Sequence, residues 1–384
     1  MFGLFADLIN MRMYRQVFFY GSVFFICANA YAYRIGNIDI TLRSRIQQMY
    51  DDNVTFASIN KKEDFITVFT IGMDARYAGK MNSLELITDI TRNTFVSHQD
   101  FNNTSEDVTL RFQREFSKFD RISLRDSFTH AEEPRSFEDE FGRTSGRYSY
   151  YRNNFNISYT RDISKSLSFN LRYANRIYAV SREDMSDSYF NNIGFDASYI
   201  FGPRTIATFS YDYEHRKFDP GAKSYIHKIA ALLRRYITPH LYFDISSGVS
   251  FAHSYSGENY SQPLFAFSLA EEVNKNSRVG LSFVKEYATN SYTANIFDRW
   301  SISMFFVYDI LERLQCSFPF FYSNVKYKIV DIADKYFGSR ISFIYDISDN
   351  LRGDISYSYS NTSSDVDLRE YRKNKVSLGI KWEF

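Results

Sequence analysis

The stretch Val376-Ser-Leu-Gly-Ile-Lys-Trp-Glu-Phe384 alternates without a break. Val376, Leu378, Ile380, Trp382 and Phe384 fall on one parity, and Ser377, Gly379, Lys381 and Glu383 on the other. Successive side chains of a β-strand point to opposite faces, so this segment has one apolar and one polar face.

The same period of two runs back through the chain. It is clear at Leu167, Phe169, Leu171 and Tyr173, at Ile193, Phe195, Ala197, Tyr199 and Phe201, and at Leu241, Phe243, Ile245, Val249 and Phe251. Eighteen such segments start near Ile38, Phe65, Leu84, Val108, Ile122, Phe155, Leu167, Ile193, Thr205, Tyr225, Leu241, Phe265, Val279, Trp300, Cys316, Phe337, Gly353 and Val376. Their lengths match the roughly 9–11 residues that a tilted strand needs to cross a bilayer. The segment near Phe318 contains Pro319, which removes a ladder donor, and a bulge is expected there.

Nearly every segment carries an apolar face, whereas a soluble sandwich buries only one core. Closing the sheet removes its edges and lets lipid cover the apolar exterior. The pattern predicts an all-β fold: a single transmembrane antiparallel up-and-down β-barrel of about 18 strands, with 16 as the alternative count. Composition agrees. Aromatic residues make up 18 %, with 31 Tyr and 38 Phe against 2 Trp, and only 6 Pro interrupt the chain.

The connections alternate in length. Short ones lie at 201–204, 237–240, 273–277 and 348–350, and long ones at 93–107, 130–148, 181–188, 287–299 and 361–375. Transmembrane barrels join strands by tight periplasmic turns and longer outer loops. Counting back from a periplasmic end at Phe384 puts every long connection on the outer side. Tyr159-Thr-Arg-Asp-Ile-Ser-Lys-Ser-Leu167, Tyr308-Asp-Ile-Leu-Glu-Arg-Leu314 and Tyr345-Asp-Ile-Ser-Asp-Asn-Leu351 share an Asp-Ile pair and a closing Leu on short turns. Common hairpin chemistry explains this better than duplication.

Residues 1–32 read as a secretory signal: Arg12 and Arg15, an apolar run from Val17 to Cys27, and small residues for cleavage near Ala30 or Ala32. The barrel would then occupy 33–384. The formal charge is +1; removing Arg12, Arg15 and Asp7 leaves 44 basic and 44 acidic residues, from 46 − 2 and 45 − 1. That balance gives no support for a nucleic-acid partner. With Cys27 in the leader, Cys316 has no partner for an internal disulfide.

A chain with such a closing segment resembles bacterial outer-membrane proteins. The resemblance implies that Trp382 and Phe384 belong to the signal read by the barrel assembly machinery, and that the chain sits among outer-membrane lipid. More narrowly, Ile38 to Asn53, and within it Gln48-Met-Tyr-Asp-Asp-Asn53, looks like the start of the beta-barrel porin 2 family. This resemblance implies a large barrel associated with capsule or exopolysaccharide production, as an export conduit, and no catalytic residues.

Parity also lists the inward face. Arg43, Arg45, Arg111, Arg125, Arg172, Arg176, Arg234, Arg340 and Lys381 fall there, with Glu85, Asp89, Asp196, Asp212, Asp244 and Asp354. Barrels of 16–18 strands hold an aqueous channel. The arginines either guide an anionic polysaccharide or small solute, or pair with the carboxylates and brace the wall; pairing is the stronger expectation. The third outer loop, His130 to Arg143, carries Glu132, Glu133, Glu138, Asp139 and Glu140. Its Glu140-Phe-Gly142 is similar to the Glu-Phe-Gly of the general-porin loop that folds inward, but such charge density favours a solvated surface loop.

The six histidines show no metal spacing, and no phosphate loop or cofactor motif is present. The expectation is a non-enzymatic barrel without cofactors: a porin-like channel linked to polysaccharide export, a general diffusion porin, or a non-conducting barrel that serves adhesion or assembly through its outer loops.

Overall fold

A computed structural model describes residues 33–141, 143–183, 185–219, 221–274, 277–291 and 295–384, without the side chains of Glu138 and 271–274. The signal segment expected at 1–32 lies outside the described residues.

The strands are β1 (Tyr33–Ile35), β2 (Ile38–Asp51), β3 (Asp64–Ala78), β4 (Asn82–Phe95), β5 (Asn103–Glu115), β6 (Asp120–Ala131), β7 (Tyr150–Asp162), β8 (Leu167–Val180), β9 (Ser188–Gly202), β10 (Thr205–Phe218), β11 (Lys223–Tyr236), β12 (Leu241–His253), β13 (Asn259–Asn274), β14 (Ser277–Ala288), β15 (Phe297–Leu311), β16 (Leu314–Tyr327), β17 (Ala333–Asp346), β18 (Leu351–Ser364) and β19 (Tyr371–Glu383). Each of β2 to β19 pairs antiparallel with the next, and β19 returns to β2, so eighteen strands close into a ring. Short β1 folds back on β2 outside that ring.

The eighteen predicted segments correspond one to one with β2 to β19, and β1 has no predicted counterpart. The seam is made by the closing stretch itself, with Val376 opposite Tyr50, Lys381 opposite Arg45 and Glu383 opposite Arg43. The Phe384 amide donates to the Leu42 carbonyl at 2.9 Å.

The two rims differ as the connection lengths predict. Tight turns at 203–204, 237–240, 312–313 and 347–350 share one rim, and the loops 52–63, 132–149 and 289–296 share the other. Two of the three Asp-Ile turns, at Ile163 and Ile347, share a mechanism with the turn at Ile237. At Ile163, Ile237 and Ile347 the amide donates to the carbonyl of the Leu four residues on, at 2.9 Å in each. The hydroxyls of Ser164 and Thr238 then accept the amides of Leu167 and Leu241. This is hairpin chemistry, as expected.

Pro319 does not produce a bulge. β16 pairs with β17 as Ser317 to Ser342 and Phe320 to Ser339, one continuous register from which only the pairs at Phe318 and Pro319 are missing. The proline deletes local ladder bonds without inserting a residue.

Outward parity is uncovered. Leu378 is 62 % exposed and Ile193, Leu171 and Ile355 are about half exposed, while inward Ser377 is buried. Such a belt around a closed sheet is a poor surface for water and a good one for hydrocarbon.

Candidate functional site

The inward wall is laced with ion pairs between strands that adjoin or lie two apart. Arg43 on β2 lies 3.2 Å from Asp89 on β4, and Arg45 lies 2.9 Å from Asp354 on β18. Arg111 and Arg76 both reach Glu85. Arg172 on β8 spans Asp196 at 2.9 Å and Asp212 at 3.3 Å, and Arg234 meets Asp244 at 2.7 Å. A side chain at Gly194 would collide with this group, since its Cβ would stand 2.6 Å from an Asp212 oxygen. Lys381 pairs with Glu383 on its own strand. Among the described residues, Arg125, Arg176 and Arg340 have no carboxylate within salt-bridge distance. Trp382 stacks on Phe384, 5.7 Å between ring centroids, at the seam.

Loop 132–149 overturns the expectation of a solvated surface loop: it folds into the lumen. A helical turn, Phe137–Glu140, starts at Ser136, whose hydroxyl accepts the Asp139 amide. Beyond it Phe141 meets Phe297 at 6.2 Å on β15, nine strands from β6 in a ring of eighteen and so on the opposite wall. Phe137 lies against Gly338, where an added Cβ would stand 2.6 Å from its ring, so only glycine admits this contact.

The Glu140 carboxylate accepts the hydroxyls of Tyr336 on β17 and Tyr371 on β19, each at 3.1 Å, and sits 3.8 Å from the Lys375 ammonium. Three further acids also find cations. Glu132 and Glu133 pair with Arg147, and Asp139 with Arg152. Arg147 belongs to the loop itself, whereas Arg152 on β7 and Lys375 on β19 are cations of the lumen wall. Glu140-Phe141 sits at the dock; Gly142 lies outside the described residues.

Loop 52–63 clasps the same side. The Gly146 amide donates to Thr55, and the Ser145 amide to Leu368 of the loop before β19, each at 2.7 Å. Phe56 is buried with φ 53°, a left-handed conformation rare for a bulky residue. It is held there by the Lys373 ammonium 3.6 Å from its ring, Arg143 on another side at 4.9 Å, and the edge contact with Tyr371. Lys373 pairs with Asp51 at 2.8 Å, both fully buried. The residues that carry the porin resemblance build this clasp. Asp52 accepts the backbone and side-chain amides of Asn374, and the Asn53 amide group donates to the carbonyls of Ala57 and Arg372.

Burial alone would raise the Glu133 carboxyl, but Arg147, Lys373, Lys375 and Arg143 outweigh it and hold the group well below its usual range. Burial likewise opposes ionisation of Glu140, and Lys375 and Lys373 again win. Both stay charged and anchor the loop.

Two spaces border the inserted loop, and a third lies along the wall. One of about 610 Å³ lies against Glu133, Arg135, Arg340, Lys375 and Lys381. Another of about 680 Å³ follows Arg172, Asp196, Asp212 and Arg234 along the far wall. A smaller one, about 180 Å³, lies between Phe141 and the arginines of β7, β8 and β10. Parity alone could have placed Arg216, Lys373 and Lys375 inside. The tyrosines that receive Glu140 gave no local signal. Among the described residues no cluster of His, Cys, Asp and Glu is arranged to hold a metal.

No protein-family model matches the sequence, and no curated protein matches it. Solved structures do resemble the fold. The outer membrane protein OpdK from Pseudomonas aeruginosa aligns with 91 % of this chain and 99 % of its own, at 9 % identity and a TM-score of 0.50. OccAB3 from Acinetobacter baumannii aligns with 91 % of this chain and all of its own, at 10 % identity and 0.47. OpdL from Pseudomonas aeruginosa gives 91 % and 99 %, at 12 % and 0.47. The architecture and lipid-facing exterior are those of an outer-membrane β-barrel.

Proposed function

We propose that this barrel is a diffusion channel for small polar solutes, narrowed in its outer half by the inserted loop 132–149. One observation carries the reading: the buried Glu140 carboxylate is held by Tyr336 and Tyr371, far around the ring from the strands that launch the loop. A loop bonded in this way leaves spaces suited to small molecules beside a charged, hydrated wall. The wall offers water and fixed charge but requires no bond-making step, so the reading is of a conduit and not of an enzyme.

Planar-bilayer recording tests it. Deleting Glu132 to Glu140 should raise single-channel conductance several-fold. An unchanged conductance would rule out the constriction, and a barrel that conducts in neither form would favour an adhesion or assembly role through the outer loops.

Export of an exopolysaccharide or capsule polymer is the second reading. It is supported by the likeness of Gln48 to Asn53 to the beta-barrel porin 2 family, whose residues here tie loop 52–63 to β19. A polymer could pass only if that clasp and loop 132–149 left the lumen together. Glycosyltransferases and chain-length regulators encoded beside this chain would favour export, and free passage of small sugars in a swelling assay would favour diffusion.

A further inference from the structure

We propose that the cavity between loop 132–149 and strands β8 to β10 binds a small organic carboxylate, with Arg216 and Arg176 as its receptors. The assignment deepens the channel reading and rests on it for its physiological role, but binding can be measured without conduction.

Arg216 points inward from β10 and is only 5 % exposed. Its Nε donates to the Thr289 hydroxyl at 2.9 Å, and one terminal nitrogen donates to Ser188 and Ser291 at 3.2 and 3.3 Å. Arg176 stands opposite Phe190 on β9, and Phe190 stands opposite Arg216 on β10. The two guanidinium groups lie 5.1 and 4.8 Å from that one ring. Among the described residues neither arginine has a carboxylate within salt-bridge distance.

The surroundings make this unusual. Lys228, just as deep on β11, is held by Glu214 and Glu286; Arg299 takes Glu286, and Arg152 takes Asp139. A buried cation that has only neutral hydroxyl partners, with a second cation one ring away, is costly to maintain. The hydroxyls orient Arg216 without neutralising it. Four arginines and one aspartate line the cavity; with Arg152 on Asp139 and Arg299 on Glu286, the positive charge left without a carboxylate is that of Arg176 and Arg216.

Shape sets the class of anion. About 180 Å³ is well under the roughly 300–1,000 Å³ of pockets for drug-sized ligands, a size that suits a small anion. The planar guanidinium fork matches a carboxylate with two parallel hydrogen bonds. Phe141, Phe297 and Phe321 form the facing wall, apolar and suited to a flat hydrocarbon body.

The test uses the full barrel purified in detergent, with sodium benzoate as probe and titration calorimetry as readout. Wild type should bind benzoate saturably, and Arg216→Gln should weaken binding about tenfold or more, the scale of a lost charge-assisted pair. Arg43→Gln, in the wall pairs far from the cavity, should leave the affinity unchanged. Equal affinity in wild type and Arg216→Gln, or no binding to wild type, overturns the proposal. Inorganic phosphate bound as tightly as benzoate overturns the carboxylate assignment. Should Arg216→Gln fail to migrate as a folded barrel, the exposed Arg176→Gln carries the same expectation. Bilayer conductance in chloride separates the two readings: conduction without benzoate binding sinks the site alone, and binding without conduction sinks the channel alone.

Discussion

In the periplasmic half of the lumen, Arg45 meets Asp354 at 2.9 Å with its side chain 38 % exposed; in the outer half, Lys373 meets Asp51 at 2.8 Å with neither partner exposed. The residue chemistry is the same and the consequence differs. Pairs like the first are screened by water and contribute little, about 1 kcal/mol or less. Pairs like the second sit among Phe56, Phe141, Phe297, Tyr336 and Tyr371, where a missing partner leaves an uncompensated charge. The periplasmic half is a hydrated, charge-balanced wall. The outer half is a packed core that a loop from one side of the barrel completes against the other.

Variants that separate these halves should differ in size of effect. The largest is expected from Glu140→Ala, which strands two tyrosine hydroxyls and Lys375. Removing one member of a buried network costs about 3–5 kcal/mol. Loop 132–149 should then leave the lumen, seen as higher conductance and as new tryptic cleavage after Arg143 and Arg147. A variant with native conductance and no cleavage would contradict the docking account.

Phe141→Ala comes next. Truncating a buried phenylalanine costs about 3 kcal/mol or somewhat more, so the melting temperature should fall and the open-channel current should become noisier. The same truncation at lipid-facing Phe209 should change neither.

Acid should act on the outer half and in one direction. Glu133 and Glu140 are both held below the ordinary glutamate value of 4.5. Their contribution is therefore complete above that value and is lost as pH falls through the depressed folded values. Conductance recorded from pH 7 downward should stay flat through pH 4.5 and rise only well below it. An opening between pH 6 and 5 would refute this assignment.

The smallest effect belongs to the hydrated wall. Replacing Arg43, Arg45 and Arg125 together by Gln should leave the melting temperature almost unchanged and shift ion selectivity modestly toward cations. Selectivity identical to wild type would leave those arginines only a bracing role.

How far the sequence reaches depends on the same two halves. Strands that start at the tight-turn rim begin within two residues of the predicted positions, as at Ile38, Leu167, Thr205 and Leu241. Several that start at the outer rim begin earlier than predicted: Asn103 against Val108, Tyr150 against Phe155, Ser188 against Ile193 and Tyr371 against Val376. Above the lipid belt the outward residues need not be apolar, so the alternation fades while the ladder continues.

Alternation alone placed the candidate strands and the two faces of the wall, leaving the count between 18 and 16, because a period of two is a local property of extended backbone and lipid demands apolar side chains along one face. It could not decide where residues 132–149 go. Glu140 finds its partners 196 and 231 residues away, and beyond the short likeness of Glu140-Phe-Gly142 to an inward-folding porin loop, nothing near it in the chain distinguishes an acid meant for water from one meant for a buried lysine and two tyrosines. Only ring closure, which carries β15 to β19 across from β6, brings those groups to the loop and turns an open barrel into a narrowed one.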